Sequence, residues 1–181
     1  GAVHALGIDL SHKMLEEATK RNNSPHIEYK CMAIEDFDYI PESYDIVISS
    51  LTFHYLELFP DICKKVHRCL TPGGTFVFSV EHPVFTAYGS QDWFYDKQRN
   101  ILHWPVDRYF SEGKREAIFL GENVTKFHKT LTTYVNGLIQ NGFEITGLVE
   151  PEPDKTLLDS IPGMRDELRR PMMLIIAAIK K

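Results

Sequence analysis

The fold of this chain is decided by residues 43–80, which read SYDIVISSLTFHYLELFPDICKKVHRCLTPGGTFVFSV. Residues 45–50 form a predicted strand with a nearly continuous apolar centre, which is typical of a strand buried on both faces of a parallel sheet. Apolar residues then recur every three or four positions between Phe59 and Leu70, and this spacing predicts a helix over 58–70. A turn at 71–74 and a second apolar strand at 75–80 follow. Strand, helix and strand in this order predict a βαβ unit.

The same alternation continues on both sides of that unit. A short strand over 2–8 ends at Asp9, and Ser11 is placed to cap a helix that precedes another strand at 26–32. Beyond residue 129, Thr130 caps a helix, a strand follows at 143–149, and an apolar strand at 172–179 comes last. The pattern predicts an α/β protein with a doubly wound, Rossmann-like, mostly parallel sheet.

Residues 83–129 interrupt this pattern with an aromatic-rich insertion. Residues 111–114, Ser-Glu-Gly-Lys, favour a hairpin turn, so we expect antiparallel strands that cover one end of the sheet. Its aromatic and charged residues form either a lid over a flat organic substrate or a satellite core beneath the insertion. The residues concerned are Trp93, Trp104, Asp107, Arg108 and Tyr109.

Composition excludes several classes of protein. The 181 residues fit one domain, and the net charge of −5 with scattered basic residues argues against a nucleic-acid partner. Three cysteines without CxxC spacing predict neither disulfides nor a metal site and favour the cytoplasm. The longest apolar run, 172–179, is too short to cross a bilayer, and no signal peptide is visible. We therefore expect no membrane association, and the sequence leaves a homo-oligomer open.

Asp9 is the most informative single residue. A carboxylate at the end of a parallel strand can accept both hydroxyls of a ribose, as in nucleotide-binding sheets. It can equally cap the helix that follows. Its neighbours are needed to separate the two interpretations.

Four strings in the same order resemble the motifs of class I S-adenosylmethionine-dependent methyltransferases. They are Gly7-Ile8-Asp9-Leu10-Ser11, residues 43–55, Leu70-Thr71-Pro72-Gly73-Gly74, and Asn141-Gly142-Phe143 before a strand. The resemblance covers nearly the whole chain except the insertion. It implies that the last strand is antiparallel and that the methyl donor is S-adenosylmethionine, with S-adenosylhomocysteine as product.

The resemblance also implies a cofactor site. Asp9 would bind the ribose, Leu10 would pack on the adenine, and Ser49 and Ser50 would lie near the methionine end. Ala33 and Ile34 occupy the adenine-binding turn, where many members have Asp in place of Ala33, so Glu35 is one alternative acceptor for the adenine amino group. The predicted cofactor residues are therefore Asp9, Leu10, Ala33, Ile34, Glu35, Ser49 and Ser50.

The family's first strand and glycine loop are absent from these residues. The resemblance places them upstream of Gly1, so we expect an N-terminally truncated single domain over 1–181 with the insertion at 83–129 within it. A glycine loop lets backbone approach the cofactor closely. Its absence puts cofactor binding by these residues alone in doubt.

Methyl transfer mainly requires that the acceptor be aligned with the sulfonium methyl and that water be excluded. An O or N acceptor can also need a base, and three histidines follow predicted strands: His54, His82 and His128. Each is either that base or a structural hydrogen-bonding residue. The predicted function is methyl transfer to an O or N atom of a small organic acceptor. The alternatives are a nucleotide-cofactor oxidoreductase and a non-catalytic scaffold that lost its cofactor.

Overall fold

The computed structural model describes residues 1–119 and 121–181. The chain divides into two compact units, Gly1–Tyr39 and Ile40–Lys181. The first unit consists of β1 (Ala5–Asp9), α1 (His12–Arg21), β2 (Ile27–Cys31) and a 3₁₀ turn (Ile34–Asp36).

In the first unit, β1 and β2 form a parallel pair. Ser11 caps α1 as predicted, because its side chain accepts the Met14 backbone N–H at 3.3 Å. Gly7 permits close packing of β1 on its neighbour: a Cβ atom at this position would lie 2.7 Å from Cδ1 of Tyr29. A larger residue at Gly7 would therefore push the Tyr29 ring away from the strand.

The second unit contains the remaining elements. Its strands are β3 (Tyr44–Ser50), β4 (Leu70–Glu81), β5 (Phe94–Tyr95), β6 (Ile101–His103), β7 (Gly113–Phe119), β8 (Glu122–His128), β9 (Phe143–Val149) and β10 (Met173–Lys180). Its helices are α2 (Phe59–Cys69), α3 (Pro83–Thr86), α4 (Leu131–Gln140) and α5 (Lys155–Ser160), with 3₁₀ segments at Phe53–Tyr55 and Met164–Arg169.

Four strands of this unit form one sheet in the order β3-β4-β10-β9. β3 and β4 are parallel, and β10 is antiparallel to both β4 and β9. Three strands therefore point the same way and the last strand opposes them, which confirms the predicted Rossmann-like α/β class. The carboxyl ends of β3, β4 and β9 share one edge of the sheet.

The predicted turn at 71–74 lies inside β4. Tyr44 pairs with Leu70 and Ile46 pairs with Thr75, so four residues of β4 bulge out opposite Asp45. Gly73 has a φ of 76°, which favours glycine, and a Cβ at Gly74 would lie 2.8 Å from the Thr71 carbonyl oxygen. The turn therefore interrupts the ladder without ending the strand.

The two faces of the four-stranded sheet differ. One face packs against α2 and α4 through aromatic rings, with Phe78 centroids 5.2 Å from Phe59 and 6.2 Å from Tyr134. On the other face, Ile46 is 59% exposed and Ile48 is 74% exposed. The prediction that this strand is buried on both faces is therefore wrong, because the helices packed on the sheet within this unit cover only one side.

The insertion folds into two antiparallel hairpins, β5-β6 and β7-β8. The hairpin turn predicted at 111–114 is wrong, because Gly113 already begins β7 and the chain reverses between Phe119 and Glu122. Gly121, with a φ of 85°, supplies the turn conformation; Leu120 lies outside the described residues. Among the ranges given above, no helix has both the length and the apolar character to cross a membrane.

Candidate active site

The carboxyl ends of β1 and β2 lie side by side, because Asp9 is opposite Cys31 in the parallel pair. Asp9 Oδ1 accepts the Ser11 backbone N–H at 2.7 Å, which fixes the turn into α1. Within the described chain, its Oδ2 atom has no hydrogen-bond partner. The next side chain, Leu10, is 72% exposed. The predicted ribose ligand thus keeps a free carboxylate oxygen beside an exposed apolar side chain.

The predicted adenine-binding turn adjoins Asp9, because the Met32 N–H donates to the Asp9 carbonyl oxygen at 3.1 Å. Ala33 precedes the 3₁₀ turn, and the Tyr39 hydroxyl donates to the Ile34 carbonyl oxygen at 3.0 Å. Glu35 lies within the turn and is exposed. The first amides of such a turn have no partner inside it, so the turn begins with backbone donors.

Ser49 and Ser50 end β3 in the second unit. The Ser49 Oγ atom is buried and forms no hydrogen bond to any described residue. Ser50 Oγ accepts from the Ser79 hydroxyl at 3.4 Å. Leu51 follows with a φ of 53°, a left-handed conformation that is uncommon for a non-glycine residue. The chain therefore turns sharply at the end of β3, directly before the segment that carries His54.

His54 lies in the 3₁₀ segment after β3 and is 2% exposed. Its Nδ1 accepts the Glu81 backbone N–H at 3.2 Å, so the ring proton is on Nε2. Burial lowers the pKa of His54 to about 4, and Lys126 and Lys129 act in the same direction while Glu81 opposes them. His54 is therefore neutral at pH 7. No described group accepts its Nε2–H.

His82 follows β4 and caps α3, since its Nδ1 accepts the Val84 N–H at 3.0 Å. Its Nε2 lies 2.9 Å from Glu150 Oε1, but the N–H points off that line. The Val84 N–H occupies Nδ1, so the ring proton is on Nε2, next to the carboxylate. The contact is therefore an electrostatic attraction and not an aligned hydrogen bond. Burial lowers the pKa of His82, and Glu150 opposes that shift.

His128 ends β8 and is fully buried. Its Nε2 lies 2.8 Å from the Tyr109 carbonyl oxygen, which can only accept, so Nε2 carries the proton. Its Nδ1 lies 2.8 Å from Thr86 Oγ1, and the hydroxyl therefore donates to it. Burial lowers the pKa of His128.

All three histidines thus share one tautomer. In each, a backbone N–H or a hydroxyl occupies the Nδ1 lone pair. A ring in this state can donate from Nε2 but offers no free lone pair for taking a proton. Only His54 keeps a ring N–H without a described protein partner near it.

The sequence analysis missed a buried polar cluster beside His54. Lys126 Nζ lies 2.6 Å from Glu81 Oε1 and donates to Gln91 Oε1 at 2.8 Å. The Gln91 amide closes the triangle by donating to Glu81 Oε2 at 2.7 Å. Glu81 and Lys126 are 6% and 2% exposed. The one sequence signal was Glu81 itself, a carboxylate that ends an apolar strand; Lys126 lies 45 positions away in the insertion.

A second buried ammonium group holds the segment that carries His54. Lys129 Nζ donates to the carbonyl oxygens of Leu56, Phe53 at 3.3 Å and Phe127 at 3.1 Å. Burial lowers the pKa of Lys129 to about 8. Lys129 therefore ties the 3₁₀ segment after β3 to the end of β8.

The aromatic residues of the insertion pack on one another and on arginine. Trp93 and Trp104 meet edge to face at 5.1 Å, and the Arg170 guanidinium lies 4.2 Å from the Trp104 ring centroid. The Tyr109 hydroxyl accepts the Leu131 N–H at 3.1 Å. Asp107 accepts the backbone N–H of Arg108 at 2.8 Å. Most of these contacts are those expected of a satellite core beneath the insertion, which was the alternative to a lid over a flat substrate.

Comparison with known proteins identifies the family. A family model described as a methyltransferase domain matches residues 1–78. A Listeria monocytogenes structure described as an S-adenosylmethionine-dependent methyltransferase is 55% identical, with a TM-score of 0.95, over 100% of this chain and 81% of that one. A Mesorhizobium loti S-adenosylmethionine-dependent methyltransferase is 37% identical, with a TM-score of 0.88, over 99% of this chain and 82% of that one. The chain belongs to the S-adenosylmethionine-dependent methyltransferases.

Another relative matches a shorter stretch. The malonyl-[acyl-carrier protein] O-methyltransferase of Priestia megaterium is 33% identical over 72 residues, which are 40% of this chain and 26% of that protein. This match supports the methyltransferase family and covers less than half of either chain.

Membership in this family decides between the predicted activities. The chain is a methyltransferase, so the oxidoreductase and the non-catalytic scaffold are both set aside. The groups present in the first unit fit the adenosine part of S-adenosylmethionine: a free Asp9 oxygen that can accept from a ribose hydroxyl, and the exposed apolar Leu10 for the adenine. Ala33 supplies no carboxylate for the adenine amino group.

Proposed function

We propose that this methyltransferase transfers the methyl group of S-adenosylmethionine to an O or N atom of a small organic acceptor. The observation that carries the proposal is the free Asp9 Oδ2 at the carboxyl end of β1, beside the exposed Leu10. A carboxylate at such a strand end is the group that accepts ribose hydroxyls in nucleotide-binding sheets.

The proposed cofactor contacts come from each unit separately. In the first unit, Asp9 binds the ribose, Leu10 contacts the adenine, the Ala33–Ile34 turn offers an amide to a ring nitrogen, and Glu35 is a candidate acceptor for the amino group. In the second unit, Ser49 and Ser50 serve the methionine end. Support for Ser49 comes from its buried Oγ atom, which has no partner among the residues described. A buried hydroxyl of this kind needs an explanation, and a bound ligand supplies one.

The sulfonium group supplies an already activated methyl, so the protein needs to hold the acceptor and exclude water. We assign His54 to the acceptor, with its Nε2–H as a hydrogen-bond donor, because that N–H has no partner in the described chain and the ring is neutral at pH 7. His82 and His128 then act as positioning residues that hold α3 and β8 in place.

We also propose that residues 83–129 cover the acceptor site. Segments of the insertion are joined to one another, since Trp104 donates to the Val84 carbonyl oxygen at 3.2 Å and Arg115 donates to that of Ala87 at 3.0 Å. Lys126 adds an ion pair to Glu81 at the end of β4. A cover held this way would exclude water from the end of β4.

An O atom is the better supported acceptor atom. The shorter-matching relative carries the name of an O-methyltransferase. The occupied Nδ1 atoms of all three histidines also favour a nucleophile that needs no strong base. The mildly acidic chain and its three unpaired cysteines fit a small-molecule enzyme of the cytoplasm.

Calorimetric titration of S-adenosylhomocysteine tests the cofactor part. Asp9→Asn should weaken binding by about 10- to 100-fold, the loss of a charged hydrogen bond of ~1.5–3 kcal/mol. Asn keeps a side-chain oxygen that can accept the Ser11 N–H, so the turn into α1 should be retained. Asp38→Asn, at an exposed position of the same unit, is the matched control and should bind like wild type.

The titration is run on this chain and, where the natural gene encodes residues upstream of Gly1, on the chain with those residues included. Binding by either form that is insensitive to Asp9→Asn would reject the role of Asp9. No binding by both forms would reject the proposed function. Binding only by the extended form would support the upstream glycine loop.

A further inference from the structure

A groove of about 620 Å³ opens in the second unit where β9 ends and β10 begins. Small-molecule sites typically have volumes of ~300–1,000 Å³. Its walls come from Trp93 of the insertion, residues 151–153 after β9, α5, the segment at 162–167, and Met172 and Met173. It lies at the edge where the carboxyl ends of β3, β4 and β9 meet, which is where ligands bind in open α/β sheets.

The walls of the groove are mainly apolar. Trp93, Leu157, Met164, Met172 and Met173 are among the residues that line it. Trp93 contacts two guanidinium groups, because those of Arg169 and Arg170 lie 5.1 and 5.0 Å from its ring centroid. The three thioether side chains are flexible and adapt to ligand shape. The groove thus combines an aromatic wall, Trp93, with a wall of methionines that can adjust to a ligand.

The charged residues of the groove are all acidic. Glu152, Asp166 and Glu167 line it, and no described lining residue is a lysine, arginine or histidine. Asp166 and Glu167 are paired with Arg169 at 3.0 Å and Arg170 at 2.8 Å. Glu152 has neither an ion pair nor a hydrogen bond within the part of the chain described. The groove therefore favours a cationic occupant over an anionic one.

The groove ends at the polar cluster. Met173 is directly opposite Glu81 in the pairing of β10 with β4. The His82 N–H donates to the Met172 carbonyl oxygen at 2.8 Å. Two residues that line the groove thus contact Glu81, which ends β4, and His82, which follows it, next to Lys126 and His54.

We propose that this groove binds the apolar body of the methyl acceptor, and that the acceptor carries a cationic amine group that the groove carboxylates recognise. The reacting atom then lies at the end of the groove next to Glu81 and His54. This inference rests on the proposed function, since it assigns the acceptor class of the same enzyme.

Methionine methyl NMR on the wild-type chain tests the groove directly. The chain has five methionines, of which Met164, Met172 and Met173 line the groove, while Met14 and Met32 lie in the first unit. Octylamine and octanoate are the probes, because they share an apolar chain and carry opposite charges at pH 7. Octylamine should shift the three groove methyls saturably and at several-fold lower concentration than octanoate. The methyls of Met14 and Met32 should not move.

A pair of variants tests the charge preference. Glu152→Gln should weaken octylamine binding by about 2- to 5-fold, the effect of one partly exposed ion pair. Glu144→Gln removes an exposed carboxylate outside the groove, 3.5 Å from Lys181, and should leave binding unchanged.

The outcomes separate this inference from the proposed function. Equal binding of octanoate and octylamine overturns the amine assignment. Shifts absent from the groove methyls, or equal in Met14 and Met32, overturn the groove as a site. Neither measurement contains S-adenosylhomocysteine. A groove response without cofactor binding therefore rejects the proposed function and leaves the groove as an amine site without a methyl-acceptor role, whereas cofactor binding without a groove response rejects only this inference.

Discussion

Lys126 and Lys129 are three positions apart, both are buried, and the fold satisfies their ammonium groups in different ways. Lys126 pairs with a carboxylate, Glu81, at 2.6 Å and with the Gln91 amide. Lys129 donates only to backbone carbonyl oxygens and has no carboxylate within ion-pair distance among the described residues. Burial lowers the pKa of Lys129 to about 8, whereas Lys126 keeps a charged partner.

The two lysines therefore have different structural roles. An ion pair in a protein interior depends on both members, because removing one leaves an unpaired charge. An ammonium group that donates to three carbonyl oxygens instead holds backbone segments together, here the segment of His54 and the end of β8. The Lys126 cluster should therefore matter most for stability, and Lys129 for the position of His54.

Replacing Lys126 should have the largest effect. Lys126→Met leaves the Glu81 carboxylate buried and unpaired, so the free energy of unfolding should fall by about 3–5 kcal/mol. Urea denaturation followed by circular dichroism measures it. Adding Glu81→Gln to Lys126→Met should recover part of the loss.

The matched control is Lys114→Met, which breaks an exposed pair with Glu116 at 2.7 Å. Its cost should stay below about 1 kcal/mol. If Lys126→Met cost no more than this control, the cluster would not be a buried ion pair in solution.

Replacing Lys129 should have a smaller effect. Lys129→Met removes its hydrogen bonds to the carbonyl oxygens of Phe53, Leu56 and Phe127, and should lower the free energy of unfolding by about 1–3 kcal/mol. The loss should be accompanied by faster amide hydrogen exchange in the segment after β3. Lys64→Met, at an exposed position of α2, is the control. Unchanged hydrogen exchange in that segment would contradict the proposal that Lys129 holds it in place.

The pH dependence of stability should show the smallest effect. The pKa of Lys129 falls from 10.5 to about 8 in the folded state, so the folded protein loses this proton before the unfolded chain does. Above pH 8 the unfolded state binds more protons, and stability should rise with pH, by about 1 kcal/mol between pH 8 and 9. Lys129→Met should lack this rise. Parallel curves for the two proteins would show that the pKa of Lys129 is not lowered.

Several elements followed from the residues alone. The helical spacing between Phe59 and Leu70 became α2, and Ser11 and Thr130 cap the two helices that they were predicted to cap. The order of strands and helices and the family resemblance came from short strings such as residues 7–11. These features are local, because they depend on neighbouring residues and on a regular spacing.

The contacts around the candidate site required the tertiary structure. The Nδ1 atoms of His54 and His128 accept from Glu81 and Thr86, 27 and 42 positions away, and no spacing in the sequence specifies those partners. The Nδ1 atom of His82 accepts from Val84, two positions on, which is a local cap. Their catalytic roles, like those of the cofactor residues, remain predictions. The hairpin turn predicted at 111–114 was wrong because turn composition alone does not specify which residues reverse the chain, and strand pairing places the reversal near Gly121.

The sequence by itself determined the class of fold, the order of its elements and the family, because these depend on apolar periodicity and short motifs. The tertiary structure alone decided that Lys126 meets Glu81, that Lys129 holds the segment of His54, and that a groove opens beside β10. The physical reason is the same in each case. Buried charges and cavities are set by residues far apart in the chain, whose meeting depends on how strands and insertion pack.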